Sequence, residues 1–250
     1  MNENTMTTIL VSAATAFSTK AVEGPIQTFN DIWKGAFGYR IHYWAKGKKY
    51  LAEQNYKSYI ISIDEKVTKI KEENLQEPQL SIVGPALEAS KYYIEEKEIR
   101  DMFANLIASS MDSTYNGIVQ HSFVEIIKQL SPYDAKLFQN FSELEALVSL
   151  IETTIEGYTN DITQNLYFNQ NFPDFNLNEI SIDNLSRLGL IIIKDDAHLT
   201  NNSHYEHYNK IAPTYSSFEV PNGSRCCIKK YLEITSLGKA FKKVCIKDSL

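Results

Sequence analysis

His198, His204 and His207 fall within a ten-residue stretch, with Asp195, Asp196 and Glu206 close by. Imidazole nitrogen is a good zinc ligand, and the His204-x-x-His207 spacing would place two rings on one face of a helix. The segment around them is polar and loop-like, though, and neither an HExxH string nor a paired-cysteine motif accompanies it, so these read as surface histidines and no metal site is expected. Cys226 and Cys227 are adjacent, too close to serve as a chelating pair in a closed tetrahedral site. Asp101, Asn105, Ser109 and Asp112 could form an acid–base cluster, but such residues are ordinary on the polar side of a helix. The phosphate-cradling strings GxxxxGK[ST] and GxGxxG are absent, and so is the nucleophile elbow GxSxG. The residues therefore predict a non-enzymatic protein, with no catalytic residue and no cofactor.

The elements that would carry these side chains are mostly helical. In Glu96–Met111, Ile99, Phe103, Leu106 and Ile107 recur at the spacing of one helical face, leaving Asn105, Ser109 and Asp112 on the other side, solvated or facing another chain. Ser113–Gly117 is rich in turn formers, and Phe123, Ile126, Ile127 and Leu130 then make an i, i+3, i+4, i+7 stripe. Ser131 suits an N-cap, Pro132 a first helical position and Asp134 the positive end of a helix that carries Ala135, Leu137, Phe138 and Phe141 inward. Upstream, Gly24-Pro25 breaks the chain before a stripe of Phe29, Ile32, Trp33, Ala36 and Phe37. A long helical pattern runs from Tyr39 to Lys71, weakened at Gly47, and after the charged linker to Pro78 a helix resumes over Leu80–Tyr93. Ser142 and Glu145 have capping-box spacing ahead of Leu144, Leu147, Val148, Ile151 and Ile155, which predicts another helix.

Beyond it the rhythm changes. Asn160–Asn178, rich in Asn and Gln, reads as a loop and as the domain boundary. Ser181 caps a short helix with Ile182, Leu185 and Leu188, and Gly189 stops it in a left-handed conformation. Leu190–Ile193 and Ile228–Thr235 favour strands, and Ser236 opens a last helix. Helix, strand, strand, helix, with a long polar excursion as an enlarged wing, describes a winged-helix-like unit. The predicted fold is mainly α: N-terminal amphipathic helices over residues 1–38, a helical bundle over 39–158, and a small α+β winged-helix-like unit over 159–250.

With 250 residues, 43% hydrophobic and 12% aromatic, the chain has ample material for a core. A net charge of −6 argues against a general nucleic-acid coat. Basic residues nevertheless gather in two runs, Arg40–Lys71 and Arg225–Lys247. An odd set of three cysteines, two of them adjacent, does not resemble a secreted disulfide framework and predicts reduced thiols in a cytosolic chain. The N-terminus lacks the basic lead-in of a secretory signal, and the apolar run Thr7–Phe17 is too short and mixed to span a bilayer. Thr8–Phe17 could still form a short amphipathic helix, which keeps membrane contact open.

The strings PALEAS, MFANLIASSMD, HSFVEIIKQLSPYDAKLF and NLSRLGLI…YLEITSLGKAFKKVC, in that order, resemble the Abi-alpha family of bacterial, phage-linked abortive-infection proteins, over residues 25 to 246. The chain departs from the family pattern in Phe103, where a Trp is expected, and in the polar insert Asp195–Ser224. The resemblance implies a phage-defence context rather than a chemistry. It leads us to expect a cytoplasmic protein that binds a phage or host protein or a second copy of itself, using Trp33, Phe37, Asn105, Ser109 and Asp112. Two alternatives stand beside it. One is a membrane-acting effector working through the N-terminal helices at the inner membrane. The other is a DNA-binding regulator using Lys239, Lys242 and Lys243, although the helix at Ser181–Leu188 offers only Arg187 to phosphate.

Overall fold

The computed structural model describes residues 20–37, 49–153, 159–211 and 224–246. The chain divides into two units, Met1–Pro132 with Ala240–Leu250, and Tyr133–Lys239. The first is helical and the second is built on a sheet.

In the first unit, α1 (Lys20–Phe37) buries Ile26, Phe29 and Trp33. It runs through Pro25 where a break is expected, because a proline near a helix start removes one ladder bond without forcing a stop. The stretch around Gly47 lies outside the described residues, and α2 (Lys49–Thr68) buries Tyr56, Tyr59, Ile60, Ile63 and Val67 at helical spacing. α3 (Leu80–Ser90) carries Pro85 within it and buries Ile82, Val83, Ala86 and Leu87. α4 (Lys97–Ser110) is buried from Met102 to Ser110 on every side, and it packs against α2, α3 and α5 (Ser122–Lys128). The expectation of a wet face on α4 is therefore corrected: this is a central helix, and its polar residues find partners inside the unit.

The second unit opens with α6 (Pro132–Asn140), which turns Ala135, Leu137 and Phe138 inward as its spacing predicts. Ser142 and Glu145 do meet, Glu145 Oε1 accepting from Ser142 N at 2.7 Å and from Ser142 Oγ, but without the return bond of a capping box among those the structure shows. The next element is a strand rather than a helix: β1 (Leu144–Thr153). Its pairing register puts Ala146, Val148 and Leu150 on one face and Leu147 on the other, all buried. A strand covered on both faces loses its period of two and imitates a helical stripe.

Antiparallel pairing with β1 also makes a strand of Thr159–Leu166, β2, where a loop is expected. The predicted boundary near residue 158 therefore falls between two strands that pair with each other. Then come α7 (Phe175–Arg187), β3 (Ile191–Lys194), a turn at Asn202–Tyr205, α8 (Glu206–Ile211), β4 (Ser224–Ile234) and α9 (Ser236–Cys245). The sheet order is β2-β1-β4-β3. α7, β3, β4 and α9 follow one another as helix, strand, strand and helix, with α8 standing between the two strands and the sheet enlarged by β1 and β2.

α7 starts six residues before the predicted Ser181, because Asp174 accepts from Leu177 N at 3.0 Å and caps it. It ends as expected: Gly189 has φ of 72°, Gly189 N donates to Ser186 O and Leu190 N to Leu185 O, the two bonds of a Schellman motif. The polar excursion is partly folded. Tyr205 and Tyr208 are buried with Ala146, Val148 and Leu166, and their hydroxyls donate to Lys230 O at 2.8 Å and Ala146 O at 2.7 Å. Paired phenols let a polar stretch cover a sheet face.

Candidate functional site

Most of the residues expected to form contact surfaces hold the interior together instead. Trp33 is 2% exposed and packs between Phe29 and Tyr59, with ring centroids 6.0 and 5.8 Å away. The Phe37 side chain lies outside the described part of α1. Asn105 and Ser109 are buried: Asn105 Nδ2 donates to Cys245 O at 2.8 Å, and Ser109 Oγ to Val244 O at 3.1 Å. Both acceptors belong to the last turn of α9, whose final carbonyls have no partner within their own helix. Asn105 and Ser109 thus cap the end of α9 with side chains from α4. Asp112 is half-buried, and its Oδ1 accepts from Thr114 N and Oγ1 at 2.9 and 2.7 Å, closing the turn after α4.

The lysines of α9 are also engaged. Lys239 Nζ lies 3.0 Å from Glu143 Oε1, and Lys243 Nζ stands 5.9 Å over the Tyr115 ring. Among the described residues, no three His, Cys, Asp or Glu side chains come together as a metal ion would need. His198 and His204 are exposed, while the His207 ring stacks on Phe168 at 5.3 Å. Cys245 is buried and Cys227 half-buried. Burial pushes the phenols of Tyr59, Tyr167 and Tyr208 well above their ordinary range.

Large apolar side chains are exposed at several places, among them Leu80, Tyr92, Ile192 and Ile228, and two of them share a face of α7. Its inner side buries Asn178, Ser181, Ile182 and Leu185. Asn178 is fully used there, donating to Tyr167 O and Phe172 O and accepting from the Tyr133 hydroxyl at 2.8 Å. Glu179 Oε1 accepts from Thr163 Oγ1 at 2.6 Å and from Gln164 N at 3.0 Å, and Asp183 accepts from Asn165 Nδ2, so one flank is fastened to β2. Leu177 and Ile180, one turn apart on the same helix, are left 42% and 64% exposed. A helix held on two sides thereby presents two large apolar side chains to solvent. Reading residues 160–178 as loop hides this face. The signal that could have shown it is Pro173-Asp174 ahead of Phe175, a helix-entry pattern.

No described helix is long and apolar enough to cross a membrane. A family model described as Abortive infection alpha matches residues 51–245. No curated protein and no solved structure is significantly similar to the chain.

Proposed function

We propose, from the premise that the chain belongs to the Abortive infection alpha family, that it is a non-enzymatic antiphage protein acting by protein binding and self-association. Family membership links it to abortive infection; the contact mode is read from α7. The observation that carries the reading is the exposed Leu177–Ile180 pair on a helix whose other sides are committed to the sheet. The occupant proposed for that face is a second copy of the chain or a phage or host protein met in the cytoplasm. The helix–strand–strand–helix order of α7, β3, β4 and α9 supports a winged-helix-like module serving protein contact. A DNA role is less favoured, because Lys239 is already paired with Glu143 and Lys243 lies against Tyr115.

The test is the pair of substitutions Leu177→Asp and Ile180→Asp. Both positions face water, so the fold should survive and circular dichroism should be unchanged. Light scattering of the parent should show an oligomer and of the variant a monomer, with protection of cells under phage challenge lost in parallel. A variant that keeps both the parent's assembly state and its protection would remove α7 from the reading.

A further inference from the structure

Arg100 sits in the first turns of α4 and is only 8% exposed. A guanidinium withdrawn from water this far is normally matched by a carboxylate, because an unpaired buried charge is costly. No Asp or Glu among the described residues forms an ion pair with it. Glu96 and Glu98 are near in sequence and do not reach it. Its hydrogen bonds come from Nη1 alone, to Ile94 O at 2.9 Å and Asn55 Oδ1 at 3.3 Å, and both acceptors are uncharged. The buried Nε–H finds no acceptor. Nε and Nη2 together form one of the two edges by which arginine takes an oxyanion through parallel N–H bonds, and that edge is unspent.

Tyr59 on α2, one turn from Asn55, is the second unspent group. It is fully buried, and no hydrogen bond of acceptable geometry closes on its hydroxyl. The Ser90 hydroxyl beside it gives its own proton to Leu87 O at 2.9 Å. The first turns of α4 add the positive end of a helix dipole. Arg100 Nη1 reaches Asn55, one turn from Tyr59 on α2, so the two unspent donors lie on neighbouring turns, with no acceptor for either among the described residues. A trapped water would satisfy a donor, but it would leave the charge uncompensated.

We propose that the Nε/Nη2 edge of Arg100, completed by the Tyr59 hydroxyl, is a receptor for a small oxyanion, a carboxylate or a phosphate. The narrow exposure of Arg100 restricts the ligand to a small molecule. The site belongs to the helical unit and is independent of the contact face on α7.

The experiment titrates the full chain with inorganic phosphate and, separately, with acetate in buffers of matched ionic strength, followed by calorimetry and thermal melting. Saturable heat and a melting temperature that climbs with the logarithm of concentration are expected for one of the two, which identifies the ligand class. Arg100→Lys keeps the charge but lacks the fork and should weaken binding about tenfold or more. Tyr59→Phe removes one hydroxyl and should weaken it about three- to tenfold. Absence of saturable binding of either anion up to tens of millimolar overturns the proposal, and so does an Arg100→Lys response equal to the parent's. If Arg100→Lys does not fold, Tyr59→Phe decides: undiminished affinity there also overturns it.

Discussion

Gly238 stands in the first turn of α9, and replacing it with alanine should destabilise the protein although alanine is the better helix former. A Cβ at this position would lie 2.0 Å from Leu190 O and 2.9 Å from Ile234 Cγ2. Real Cβ contacts stay beyond 3.0 Å, so the helix start and the Leu190 carbonyl must part by the missing 1.0 Å, from 2.0 to 3.0 Å. Thr235 holds that junction through several bonds. Thr235 N donates to Leu190 O at 3.1 Å, Thr235 Oγ1 donates to Gly189 O at 2.6 Å, and the same oxygen accepts from Gly238 N at 2.9 Å as the helix cap. Losing the first two costs about 1 kcal/mol each. Losing the cap costs about 1 kcal/mol more, against a helix-propensity gain of about 1 kcal/mol. The expected net loss is about 2 kcal/mol, which for a chain of this size lowers the melting temperature by about 4–8 °C. Gly35 in α1 is the control: nothing lies within 4 Å of a Cβ built there, so Gly35→Ala should melt at or slightly above the parent. Thermal melts and urea titrations followed by circular dichroism give both values. If Gly238→Ala melts within about a degree of the parent, the close approach to Leu190 does not carry the energy assigned to it.

Two further perturbations probe buried charge. Lys230 is buried and its Nζ lies 2.9 Å from Asp195 Oδ1, whose side chain is 75% exposed. Asp195→Ala should cost about 1–2 kcal/mol, less than a fully buried pair would, and Lys230→Met in that background should restore much of it, as read from urea midpoints. Asp64 has a buried Oδ1 with no hydrogen bond, and burial raises its carboxyl above the ordinary aspartate value, with the Glu65 charge adding to the shift. The folded state therefore holds this proton longer than the unfolded one. The associated stability is complete below the unfolded-state value and is lost as pH rises through the folded one. Asp64→Asn should accordingly be more stable than the parent at neutral pH and indistinguishable from it in acid below the ordinary aspartate range. Equal urea midpoints at neutral pH would refute this.

The helices of the first unit were legible because burial on one side writes a period into the sequence. Phe123, Ile126 and Ile127, all buried, sit where their spacing puts them. Gly189 was legible for a local reason, since only a residue that tolerates positive φ closes the α7 terminus as it does. β1 was not, because burial of both faces removes alternation and leaves spacings that fit either element. β2 was not legible either: TNDITQNL has little strand character of its own, and what holds it is pairing with β1 and the Glu179 carboxylate on its backbone N–H groups. The polar positions of α4 show the same limit. Asn105 and Ser109 have the spacing of a wet face, yet their partners lie 140 and 135 residues further on. No local pattern distinguishes a side chain waiting for water from one waiting for a distant carbonyl.

These partnerships explain why the family-like strings carry no visible chemistry. MFANLIASSMD contains Asn105 and Ser109, and GKAFKKVC contains Val244 and Cys245, whose carbonyls those two residues bind. HSFVEIIKQL contributes Phe123, whose ring meets Phe241 of the same last string edge-on at 5.3 Å. NLSRLGLI supplies Leu190, the carbonyl against which Gly238 of TSLGKAF is packed. The strings are thus partly occupied with one another, and Asn105 and Ser109 inside them are spent on backbone carbonyls. Groups able to act on something else should lie beside the strings, and both proposed surfaces do. Leu177 and Ile180 precede NLSRLGLI on α7, and Arg100 directly precedes the Asp101-MFANLI run, with Tyr59 brought to it from α2. Substitutions within the strings should therefore act on stability first, whereas substitutions beside them should alter assembly or anion binding in a protein that still folds.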